Sequence, residues 1–179
     1  MATFPLSLSA NWLSAIQTDD FTPTEREWLF EPRSLTAKLK SKATSFSVKV
    51  LSEQTFNLNH EQQQLLDCKT SSALNREVLL LCDNHPMVYA QSWLPNNQTH
   101  NSLHNMGERP LGDVIFQQPE LVRQNIEIAR FDNKHSIQNL VAQQNLPIQT
   151  LLGRRSVFSL SEYQFLVAEV FLPGAYLYL

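Results

Sequence analysis

Glu169 lies in the C-terminal run Phe165-Leu166-Val167-Ala168-Glu169-Val170-Phe171-Leu172, where alternation sets it on one side of a strand with Phe165, Val167 and Phe171. A carboxylate among such neighbours loses water, which disfavours its charged form and suits it to donate a hydrogen bond or move a proton. The same pattern fits a structural glutamate paired with an arginine of a neighbouring strand. Arg76 opens a second apolar run, on the same side as Val78, Leu80 and Cys82. Its planar fork can hold a ligand carboxylate, or it closes an internal salt bridge, or it reaches solvent from the strand end. Arg154 and Arg155 are neighbours in an extended run and point to opposite faces, so at most one enters a given pocket.

The chain has only 4 glycines. Gly107 and Gly112 bracket Met106-Gly107-Glu108-Arg109-Pro110-Leu111-Gly112, Gly153 precedes Arg154, and Gly174 follows Leu172-Pro173. Neither a Walker loop nor a dinucleotide fingerprint can be assembled from these positions. Gly107 and Gly112 either form turns around a short helix or create a backbone N–H pocket for an anion near Leu111. His100 and His104 have helical i, i+4 spacing, yet they sit by a loop-like Asn96-Asn97-Gln98-Thr99 without a cysteine or carboxylate cluster, and are expected on the surface rather than on a metal. No nucleophile elbow supports a hydrolase.

Elements that could position these groups are legible along the chain. Thr22-Pro23-Thr24-Glu25 has the form of a capping box and starts a helix through Trp28, Leu29 and Phe30, which Pro32 stops. Ser34-Leu35-Thr36 begins a second short helix carrying Leu39. From Ser45 the period becomes two, with Phe46, Val48 and Val50 on one face. His60 to Leu66 is helix or loop; Arg76 to Cys82 is a strand; Asp83-Asn84-His85-Pro86 is a turn, and Met87 to Leu94 returns as the hairpin partner. Val122 to Phe131 alternates again, and Arg155 to Leu160 pairs with Gln164 to Leu172 around Ser161-Glu162-Tyr163. Residues 132 to 150 are expected as a long polar loop with one helical turn, a lid or mobile segment. The expected fold is α+β, a single antiparallel β-sheet with helices packed on it, forming one domain over 1–179.

At 179 residues, 42% hydrophobic and 17% charged, the chain can build a full core unaided. Its net charge of −3 opposes general nucleic-acid binding. No apolar run approaches the ~20 residues that span a bilayer. The start, Met1-Ala2-Thr3-Phe4-Pro5-Leu6-Ser7-Leu8, has no basic region before a long apolar one, so a cytoplasmic protein is expected. Cys68 and Cys82 are expected as free thiols, Cys82 in the core.

Five ordered blocks resemble the chorismate pyruvate-lyase family: Arg76-Glu77-Val78-Leu79-Leu80, Pro110-Leu111-Gly112, Ile126-Glu127-Ile128-Ala129-Arg130, Gly153-Arg154-Arg155-Ser156 and Ala168-Glu169-Val170-Phe171-Leu172-Pro173. The resemblance runs from about Trp28 to Tyr178. It implies cleavage of chorismate to 4-hydroxybenzoate and pyruvate, the first committed step of ubiquinone synthesis, without metal or coenzyme. It also implies that Arg76 binds the carboxylate with the backbone amide of Leu111, that Glu169 meets the ring hydroxyl, and that Leu35 supplies a further contact. The family has methionine at the position of Leu35, which is harmless if the contact is through backbone N–H. Arg76 and Glu169 are the expected catalytic pair, in a monomer. Two other classes stay open: a ligand-sensing module of the same fold, for which Ala2 to Phe21 is too short to hold a helix-turn-helix, and a lyase-like protein that binds 4-hydroxybenzoate without turnover.

Overall fold

Left-handed turn residues and capped helix starts set the architecture. The computed structural model describes residues 8–14, 20–96 and 103–179. In chain order it forms β1 (Leu13–Ser14), α1 (Pro23–Leu29), α2 (Leu35–Lys42), β2 (Phe46–Asn57), α3 (His60–Leu65), β3 (Ser72–Cys82), β4 (His85–Pro95), α4 (Leu111–Ile115), β5 (Leu121–Arg123), β6 (Glu127–Phe131), α5 (Ile137–Gln143), β7 (Leu151–Leu160) and β8 (Tyr163–Phe171), ending in a 3-10 turn at Tyr176–Tyr178. The expectations for His100, for most of Met1–Leu8 and for Asn97–Thr99 lie outside the described residues.

The strands make one 8-stranded antiparallel sheet in the order β1-β6-β7-β8-β4-β3-β2, with β5 beside β7, so the α+β expectation is met. Asp83 and Asn84, at φ 49 and 64, turn β3 into β4 in two residues rather than four. At α1, Thr22 Oγ1 accepts from the Glu25 amide at 3.1 Å while Glu25 accepts from the Thr22 amide at 2.8 Å, completing the capping box. Ser34 Oγ caps α2 by accepting from the Ala37 amide at 3.1 Å.

The sheet has two buried faces. Even positions of β8 pack with Leu79, Tyr89, Trp93 and Phe131. On the opposite face, Val78, Leu80, Val88, Ala90 and Phe171 meet α1 and α2 through Trp28, Leu29, Leu35 and Leu39. Three expectations need correction. The stretch 132–150 is no lid: it contains the two-turn α5, whose Ile137 and Val141 are buried against the first face, and Gln138 Nε2 donates to the Asp132 and Gln149 carbonyls, tying its ends together. The run 122–131 is two strands, because Arg123 pairs Phe158 but Glu127 pairs Arg155, four steps against three. That surplus residue is a bulge. β2 and β3 are also longer than expected, since the exposed far half of β2 and the half-buried start of β3 continue the ladder to Asn57 and Ser72. Cys82 is buried and both cysteines are free.

Candidate active site

Register sets the central residues of the second face side by side. Val78 pairs Ala90, Ala90 pairs Glu169, and Glu169 pairs Arg154; one step along, Arg76 pairs Ser92, which pairs Val167. Arg76 and Glu169 thus lie two strands apart and two residues offset, about 10 Å across and about 7 Å along the sheet. Between them, under α2 and α4, is a cavity of the kind in which small ligands bind, concave and mostly apolar with a few polar groups in its wall. Its walls are largely aliphatic and aromatic, from Leu35, Val78, Leu80, Ile115, Phe116 and Phe158. Arg76, Leu111, Leu35 and Glu169 all line it, so the structure brings together the four residues that the family resemblance assigned to the site.

Arg76 is 2% exposed. Its Nε donates to Glu53 at 2.8 Å and its Nη2 to the Gly107 carbonyl, so the salt-bridge reading and the cavity-lining reading both hold. Nη1 makes no hydrogen bond among the described residues. Glu53 reaches this face because a register shift between Val50 and Ser52 reverses the alternation of β2. Gly107, at φ 55, provides the turn that carries its carbonyl to Arg76.

The amides of Leu35 and Leu111 open α2 and α4. First-turn amides have no intrahelical partner, and both residues lie in the cavity wall. Gly112 lets them approach: a Cβ there would lie 2.8 Å from Thr36 Oγ1 and 3.0 Å from Ser34 Oγ. Lys40 Nζ bridges to Asp113 Oδ2 at 2.5 Å across the same pair of helices. Gly107 forms a turn ahead of α4, as one reading expected, whereas Gly112 lies inside α4, where its missing Cβ sets the approach of α2.

At the other end, Arg154 Nε donates to Glu169 Oε2 at 2.7 Å, so Glu169 is both paired with a strand arginine and in the cavity wall. Its Oε1 accepts no hydrogen bond among the described residues. Arg154 points to this face and Arg155 to the other, where it meets Glu127 at 2.7 Å. Sequence reasoning missed Arg123. Its Nη1 donates to the Glu31 and Pro32 carbonyls at 2.8 and 3.2 Å, and its guanidinium lies 4.7 Å over Phe158. Burial, with Arg154 nearby, lowers it to about 10 against the opposing pull of Glu169 and Glu31. Arg154 Nη1 donates to the same Glu31 carbonyl at 2.9 Å, and the two arginines fix the segment between α1 and α2 that ends at Leu35. Only the bulge before β6 turns Arg123 inward, and no sequence signal marks it.

A family model for chorismate lyase matches residues 6–178. The chain belongs to the chorismate lyase family. A protein of Pseudoalteromonas translucida named "Probable chorismate pyruvate-lyase" is 69% identical, covering 99% of this chain and 100% of that one. One of the same name from Idiomarina loihiensis is 37% identical over 98% of this chain and 91% of its own length. Among solved structures, the effector domain of PhnF from Mycobacterium smegmatis superposes with a TM-score of 0.60 at 15% identity, covering 78% of this chain and 88% of that one. The C-terminal domain of the histidine utilization repressor from Pseudomonas syringae gives 0.54 at 11% identity, over 73% and 92%. Those regulators share the fold alone. Among the described residues no group of three or more His, Cys, Asp or Glu side chains is arranged to hold a metal ion, and no helix is long and apolar enough to cross a membrane.

Proposed function

We propose that this protein cleaves chorismate to 4-hydroxybenzoate and pyruvate in the cavity between α2, α4 and the sheet. The observation that carries the reading is a largely apolar cavity with anion donors at the Arg76 end and a carboxylate at the other. Arg76 Nη1 and the amides of Leu35 and Leu111 hold the ring carboxylate. Charge-assisted hydrogen bonds to such a group give roughly 1.5–3 kcal/mol each, and a low-dielectric wall strengthens them. Glu169 meets the ring hydroxyl at C4, and together these contacts fix the ring in its plane.

The reaction breaks the C3–O ether bond and the C4–H bond, and both losses make the ring aromatic. The departing enolpyruvyl unit ends as pyruvate with one added proton at its methyl carbon. Aromatisation supplies the driving force, so orientation of the bonds and exclusion of water are the main demands on the protein. Glu169 orients the hydroxyl; the aliphatic walls keep solvent from the ring.

Incubating purified protein with chorismate and separating the products by chromatography tests the reading. Equimolar 4-hydroxybenzoate and pyruvate are expected, and the yield should persist under a strong chelator. Formation of 3-hydroxybenzoate or isochorismate, or binding of 4-hydroxybenzoate without any turnover, would overturn it; the last outcome would favour a ligand-binding module.

A further inference from the structure

We infer that Arg123 binds the second carboxylate of the substrate, the one on the enolpyruvyl side chain, and so distinguishes substrate from product. This rests on the chorismate-cleaving reading. Arg123 lines the cavity. Its Nη1 is committed to the Glu31 and Pro32 carbonyls. Its Nε is buried with no hydrogen-bond partner, and its Nη2 has none among the described residues. Nε and Nη2 form the side edge of a guanidinium, the edge that grips a carboxylate with two parallel hydrogen bonds.

The location fits that use. Arg123 and Arg154 stand together at the Glu169 end, and Arg154 Nη2 is also buried without a partner. Buried donors without acceptors are costly, and an anion entering between them relieves the cost. In chorismate the enolpyruvyl ether is on C3, beside the C4 hydroxyl. A ring held with its carboxylate at Arg76 and its hydroxyl at Glu169 therefore brings the enolpyruvyl carboxylate to this same end. The faces of Phe116 and Phe158, 5.4 and 4.7 Å from the guanidinium carbon, hold the fork in one plane. 4-Hydroxybenzoate lacks this carboxylate, so the Nε edge of Arg123 contacts the substrate and not the product.

The test compares wild type with Arg123→Gln on three probes: turnover of chorismate, calorimetric binding of 4-hydroxybenzoate, and calorimetric binding of 3-(carboxymethoxy)-4-hydroxybenzoate, an unreactive ring with an ether-linked carboxylate. Arg123→Gln should lower kcat/KM and affinity for the ether dicarboxylate by at least about tenfold, and should weaken 4-hydroxybenzoate several-fold less, by what the loss of its bonds to the Glu31 and Pro32 carbonyls costs the Leu35 segment. Equal weakening of all three probes, or no weakening of the dicarboxylate, would overturn the assignment. Arg123→Lys keeps a cation that can still reach the Glu31 carbonyl but has no two-pronged edge; its loss of affinity for the dicarboxylate should exceed its loss for 4-hydroxybenzoate by about threefold or more. If wild type fails to turn over chorismate, the lyase reading falls, yet the two binding probes still read Arg123.

Discussion

Arg76 has two of its three guanidinium nitrogens on Glu53 and the Gly107 carbonyl, so its removal affects both ligand and framework. Arg76→Ala is expected to weaken 4-hydroxybenzoate binding and lower kcat/KM at least about tenfold, the loss given by one charged hydrogen bond of ~1.5 kcal/mol. Lysine rescues only in part, because its ammonium is a single point of contact and lacks the planar fork that meets Glu53, the carbonyl and a ligand from separate nitrogens. A folded Arg76→Ala protein with unchanged product affinity would reduce Arg76 to a structural residue. Glu169 separates two roles in the same way. If it orients the hydroxyl, Glu169→Gln retains an acceptor for Arg154 and loses little turnover; a proton-transferring Glu169 would cost roughly 10²-fold in kcat on the same change. We predict the small loss. Glu169→Ala strips Arg154 of its carboxylate, where breaking a buried ion pair costs about 3–5 kcal/mol at full burial, and both its urea midpoint and its turnover should fall.

At the scale of elements, the donor wall depends on how closely two helix starts approach. Gly112→Ala would force a Cβ to within 2.8 Å of Thr36 Oγ1, pushing α4 off α2 and parting the Leu35 and Leu111 amides. The variant should keep its circular dichroism and bind 4-hydroxybenzoate several-fold more weakly; unaltered affinity would remove those amides from the site. Gly153→Ala acts elsewhere, because its Cβ would meet Phe131 at 2.8 Å and the Glu169 carbonyl at 2.9 Å inside the sheet. Overpacking of this kind costs typically 1–3 kcal/mol, so lower thermal stability is expected. The caps of α1 and α2, the β3–β4 hairpin and the face of β8 were legible because each rests on local chemistry: a Thr-Pro-x-Glu start, an Asp-Asn turn, a two-residue alternation. Glu53 and Arg123 were not. Both reach the cavity face through a one-residue surplus against the neighbouring strand, which inverts the alternation that sequence reading relies on. The placement of 132–150 was less legible, since Ile137, Leu140 and Val141 mark an apolar side for only two turns, too short to hold as a helix without the sheet they cover.

Over the whole molecule, folding stability should depend on pH through His104. Burial holds its imidazole below the ordinary 6.5, against a hydrogen bond to Pro95 that pulls the other way. A histidine lowered on folding is protonated first in the unfolded chain, so stability is full above about 6.5 and declines as pH falls below it. Urea midpoints should drop between about pH 7 and 5 and drop less in His104→Gln, whereas parallel curves for the two proteins would exclude His104 as the source. The measurement that reads the site as a whole is a crystal structure with bound 4-hydroxybenzoate. The carboxylate should lie against Arg76 Nη1 and the amides of Leu35 and Leu111, with the hydroxyl at Glu169 and the Nε edge of Arg123 left open. A ligand outside this cavity, or one reversed with its carboxylate on Arg123, would contradict the account.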